Sequence, residues 1–256
     1  MTTGTFPQDP HRRRAVVVLG AYDIERCSYE ADQGQLLLDE EAYVLAFPLE
    51  AGGEVHLALR NILDAGLCRP GTMLVQSPYD TDCYEDCENA LERFAVAKHM
   101  YFSQLCMMLG ARSVIIDQID ISTRESKTSL DLSAKRSGAF SGNVEIAEEE
   151  LDRMRCQLSI QDDFLGGDAD ISAAEVLLRS HGLWSDPTLR SLLEARKGSG
   201  NRLSSRILKI SLSSESKRNM SIAARLKIPS FVNMSLDYRT IVKQEKEFSL
   251  TLTVRF

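Results

Sequence analysis

The sequence predicts an α+β fold in which an antiparallel sheet is packed by helices. Three observations carry that expectation. Apolar and polar residues alternate along several segments of the second half, as in strands with one buried and one wet face. A long stretch near 83–109 repeats its apolar residues at helical spacing. Two stretches about ninety residues apart read as the same unit written twice, each a strand, a polar Glu-Ser-Lys turn and a returning strand.

The chain opens on a polar segment with two prolines, so residues 1–14 are expected to be a disordered tail. Arg12-Arg13-Arg14 before Ala15 imitates a signal peptide. The apolar run of about six residues is shorter than an h-region, and Asp23 and Glu25 follow at once. Ala15–Leu19 reads as a first strand. Gln35–Leu38 and Tyr43–Phe47 are further strand candidates, the second stopped by Pro48. Val55–Ala65 suits a short helix ended by Gly66, and Thr72–Gln76 a strand closed by Ser77-Pro78.

The main helix is expected from about Cys83 to Leu109. Asp82 with Glu85 gives a capping-box spacing, and Asp80, Asp82, Glu85, Asp86 and Glu88 suit the positive end of its dipole. Leu91, Phe94, Ala95, Phe102, Leu105 and Leu109 share one face. From Met100 onward the stretch is apolar nearly all round, which predicts burial on several sides, and Gly110 ends it.

The first hairpin is expected at Ile119-Asp120-Ile121-Ser122 and Leu130–Lys135. Val144 and Ile146 alternate after Phe140, 148–155 suits a helix, and Leu158-Ser159-Ile160 another strand. Helices are expected at Ser172–His181, with a Ser172…Glu175 capping box, and at Thr188–Lys197, with Asp186 as N-cap and Pro187 at N1. The second hairpin follows at Ile210–Ser213 and Met220–Arg225. Val232–Tyr238 and Phe248–Phe256 complete the strands. Recurrence of Glu-Ser-Lys favours duplication, although any two alternating strands align by pattern alone. The expected organisation is one α+β domain over 15–256, with sub-units at 15–82, 83–165 and 171–256, the last two being the repeats.

A net charge of -7 argues against wholesale nucleic-acid binding, which needs clustered Lys and Arg. Six scattered cysteines suit reduced thiols in a cytoplasm. No apolar run approaches the ~20 residues of a spanning helix.

Candidate chemistry is sparse. Cys83-x-x-x-Cys87 with His99 offers one cysteine pair where a zinc site needs two pairs, and five carboxylates nearby oppose a thiolate. The same carboxylates, and Asp162, Asp163, Asp168 and Asp170, lack the spacing of a calcium loop. His11, His56, His99 and His181 are isolated. Gly52-Gly53, Gly166-Gly167 and Gly198-Ser199-Gly200 spell no phosphate loop. Trp184 suits an anchor between helices. No catalytic, metal or cofactor residues are assigned. Arg206, Lys209, Lys217, Arg218, Arg225 and Lys227 make the C-terminal third basic, a candidate surface for an anionic membrane or an acidic partner.

Three functions follow as expectations. The first is a non-catalytic interaction or self-assembly protein with a protein partner or a homo-oligomeric state, using strand edges such as the C-terminal strand. The second is a membrane-perforating effector. Two amphipathic hairpins separated by helices resemble, as architecture alone, gasdermin-like and perforin-like pore formers. The third is an enzyme whose site is assembled from distant residues. A βαβ unit ending in Ser113–Ile116 would bind ligand near Gln76, Tyr79 and Asp80.

Overall fold

The computed structural model describes residues 6–29, 34–49, 55–122, 127–131, 156–158, 161–198, 202–229, 232, 234 and 247–256. The expected strand at 144–146, the helix at 148–155 and, apart from Val232 and Met234, the strand at Val232–Tyr238 lie outside these residues. The fold is α+β, and the described residues hold six helices and two sheets that are mostly antiparallel. The chain divides into two compact units, Met1–Leu91 with Ser214–Gln244, and Glu92–Ser213 with Glu245–Phe256.

The first unit is built on a sheet of order β2-β1-β3-β4. Its strands are β1 (Ala15–Gly20), β2 (Ala42–Phe47), β3 (Met73–Gln76) and β4 (Tyr84–Asp86). β1 is apolar at every position and buried almost throughout, which suits a central strand covered on both faces. It pairs parallel with β2 and antiparallel with β3. Helix α1 (Ala21–Tyr29) lies on the β1–β2 crossover, as a parallel pair requires. Helix α2 (Leu57–Asp64) places Ala58 and Ile62 in a core with Phe6, Val16, Val18, Leu45, Leu74 and Tyr84. Gly66 follows it at φ 67°, the left-handed stop that its position foretold.

Three expectations are corrected here. Residues 6–14 are not a loose tail, because Phe6 joins the core and Pro10–Arg13 form a 3-10 turn. Gly34–Leu38 is also a 3-10 turn rather than a strand. The second hairpin is absent, since Ser214–Arg225 is a helix, α6, packed on β1 and β3. Its buried residues include Ser216, Asn219, Met220 and Ala223, spaced as one helical face.

The second unit holds helix α3 (Ala90–Met108) and a sheet of order β6-β5-β9-β8. The strands are β5 (Ser113–Ser122), β6 (Lys127–Asp131), β8 (Ser205–Ser211) and β9 (Glu247–Arg255), all antiparallel. A short β7 (Gln161–Asp163) pairs with the first residues of β5. The first hairpin is thus formed, with Ile119 opposite Leu130. β9 alternates strictly, burying Phe248, Leu250, Leu252 and Val254. β9 lies inside the sheet between β5 and β8, so the C-terminal strand is not an edge. Ser113–Ile116 opens β5 in this antiparallel sheet, while β3 belongs to the other sheet, so the anticipated βαβ unit does not exist.

Helices α4 (Ile171–Ser180) and α5 (Pro187–Lys197) follow β7. Asp186 caps α5 through Thr188 N and Leu189 N with Pro187 at N1, as the sequence indicated. For α4 the cap is Asp170, two residues before the expected Ser172. α3 itself starts seven residues later than expected. Cys83 to Glu88 belong to β4 and its flanking turns, where Asp80 and Asp86 accept from the amides of Asp82 and Glu88. Gly110 ends α3 at φ 79°, and a Cβ there would stand 2.2 Å from the Gly167 carbonyl oxygen.

Candidate interaction surface

In the first unit the basic triplet turns inward. Arg13 and Arg14 are 2% and 3% exposed. Arg13 donates to Thr81 O, to Tyr84 Oη at 2.9 Å and to Asp82 Oδ1 at 2.8 Å. Arg14 donates to Glu215 and to Asn219 Oδ1 at 2.7 Å, with His11 Nδ1 2.7 Å away. Asn219 in turn donates to Gln76 O at 2.9 Å. These bonds tie α6 to the sheet, so Gln76 is a structural residue of the network rather than a ligand contact. Burial opposes ionisation of Glu41, but hydrogen bonds and charge from Arg218 and Arg225 prevail and hold its carboxyl below the ordinary range.

The six cations assigned to a basic surface divide between the units. Arg206 and Lys209 lie on β8, Lys217, Arg218 and Arg225 on α6, and Lys227 just beyond it. Arg206 donates to Ser191 Oγ, Lys209 pairs with Asp120 at 2.7 Å, Arg218 with Glu41 at 2.9 Å, and Arg225 with Glu41 at 2.8 Å and Asp39 at 3.3 Å. Charges already satisfied within the fold have less to offer an anion.

Cys83 and Cys87 do not share a helix with His99. Burial, then Asp80, Asp82 and Glu85, pushes the Cys83 thiol up to about 11, and burial with Asp86 and Glu88 pushes Cys87 to about 12. Both stay neutral near pH 7, the reverse of a reactive thiolate. Among the described residues no group of three or more His, Cys, Asp or Glu is placed to hold a metal ion. His56 caps α2, and His181 stacks on Tyr101 at 4.0 Å. Trp184 lies under the Arg179 guanidinium in the turn between α4 and α5, which fits an anchor.

The sequence did not reveal the outer face of α3. Its inner face buries Phe94, Ala95, Phe102, Leu105 and Cys106, together with Lys98 and His99, each 2% exposed. Lys98 Nζ donates to Asp186 Oδ2 and Ser211 O, both at 2.6 Å, and Asp162 accepts from Ser103 Oγ. The opposite face leaves Met100 at 58% and Met107 at 49% exposure. Arg93 and Gln104 are exposed between and beside them, and Ala97 is half-buried. These five residues are spaced four, three, four and three apart, the a/d spacing of a coiled coil, with Ala97, Met100 and Met107 as its apolar members. The expected burial of Met100 to Leu109 on several sides therefore holds for the inner side alone.

The edge strand β8 is a weaker surface. Ile207 is 70% exposed there, but Arg206 and Lys209 flank it, the charge pattern by which edges resist further pairing. Comparison of the chain with family models, with curated proteins and with solved structures returns no match.

Proposed function

We propose that this chain is a non-catalytic protein-interaction or self-assembly protein of the cytosol, working through the outer face of α3. The observation that carries the reading is the methionine stripe. Isolated exposed apolar residues are ordinary on any surface. Met100 and Met107 stand seven residues apart on one face with half-buried Ala97 and uncharged Gln104, and no charge lies between Arg93 and Met108 on that side, a surface suited to a facing helix. Methionine suits such a role because its unbranched, polarisable side chain adapts to a partner. The six thiols are all free, which supports a reducing compartment. Among the described residues no helix is long and apolar enough to cross a membrane.

The test is the size of the native species in cell extract. The tagged full chain should run well above its 28.6 kDa monomer mass, and the Met100→Glu/Met107→Glu variant should fall to that mass. A wild-type protein that runs as a monomer would remove the reading.

A membrane-perforating effector is the second reading. It is favoured by the β5–β6 hairpin and by β5 and β9, which at 10 and 9 residues match the ~9–11 of a tilted spanning strand. The segment expected to supply its second hairpin is α6. Flotation with anionic and neutral liposomes, followed by dye leakage, separates the two readings, since an assembly protein neither floats nor releases dye.

A further inference from the structure

The stripe on α3 constrains its own occupant. For about two heptads the facing surface must be uncharged, because a charge brought against Met100 or Met107 is desolvated without a partner. The stripe begins on a cation and ends at the negative end of the helix dipole. Arg93 is exposed at the first end and donates to Gln157 Oε1 at 3.4 Å. At the other lie the carbonyl end of the helix dipole and Asp170, whose amide donates to Met108 O at 2.8 Å and whose exposed carboxylate caps α4.

A surface neutral along its length and opposite in sign at its ends is complementary to itself when reversed. We infer that the occupant is a second copy of this chain, the two α3 helices packing antiparallel about a two-fold axis at Met100. This rests on the reading of α3 as a docking surface. In that arrangement Met100 meets Met100 of the second copy. Arg93 of each copy reaches the Met107 and Asp170 end of the other, and the contact is isologous, so it closes at two. A parallel pair would instead set Arg93 beside Arg93 and join two negative helix ends.

Sedimentation velocity on the purified full chain over a wide concentration range tests this. Wild type should move from 28.6 kDa to twice that mass as concentration rises. Met100→Glu should remain monomeric, with an unchanged melting curve because the site is exposed. Arg93→Glu should weaken the dimer about two- to thirtyfold, the scale of two exposed ion pairs, since the two-fold makes the contact twice. Asp170→Asn, which keeps the α4 cap, should relieve the like-charge part of that loss in the Arg93→Glu background and leave the wild-type affinity unreached. A wild type that stays monomeric, or a dimer indifferent to Met100→Glu, overturns the inference. If the purified chain is monomeric while its species in extract is large and depends on Met100, the second copy is excluded and the docking reading stands.

Discussion

Lys98 is a cation where apolar side chains pack, and Asp186 is what makes it tolerable. One carboxylate oxygen of Asp186 caps α5 while the other takes the Lys98 ammonium. Asp186→Ala should therefore cost about 3–5 kcal/mol, the scale of leaving a buried charge unpaired, against about 1 kcal/mol for a cap alone. The double variant Lys98→Met/Asp186→Asn should regain most of that, since Asn caps as well as Asp and no charge is left. Urea unfolding of the three proteins measures it, and a loss no larger than the cap's would contradict the account. The cap was legible in Asp186-Pro187. The pairing with Lys98 was not, because 88 residues separate the partners and no local pattern joins them. Arg13 and Arg14 teach the same lesson, for a basic triplet before an apolar strand looks like surface charge until Asp82, Glu215 and Asn219 arrive from far along the chain.

At the scale of elements, apolar runs and apolar faces bounded by local caps or breakers identified β1, β2, α2, β3, α5 and β9. The same signals misread two segments for physical reasons. Asp80, Asp82 and Asp86 close tight turns with the same side-chain-to-amide bonds that cap helices, so their chemistry did not say which. In α6 the apolar residues Met220, Ile222 and Ala224 alternate like a strand, while the first buried turn consists of Ser216 and Asn219. Polar residues set that helix through Arg14 and the Glu41 cluster, which hydrophobicity cannot register. A pH dependence follows. Glu41 titrates below its ordinary 4.5 in the fold, so its contribution to holding α6 is complete above about 4.5 and is lost as pH falls through the lowered value. Hydrogen exchange of the Ser214–Arg225 amides should rise relative to those of β9 over that acid range. Glu41→Gln should show the same loosening at neutral pH, and equal protection in both proteins would refute the link.

The whole molecule has two compact units, each with its own sheet. Ion pairs occupy much of the basic C-terminal third, and charged residues guard the β8 edge. The methionine face of α3 departs from that pattern. The sequence showed an apolar helix but not which side faces out, because Met100 and Met107 resemble their buried neighbours in every local respect. Oxidative footprinting tests the central claim most directly, since methionine sulfur reports its own exposure. As the protein assembles, oxidation of Met100 and Met107 should fall several-fold, while the exposed Tyr22 and Tyr29 of α1 keep their reactivity. Oxidation of Met100 and Met107 at the same rate in the assembled and dilute protein would contradict it.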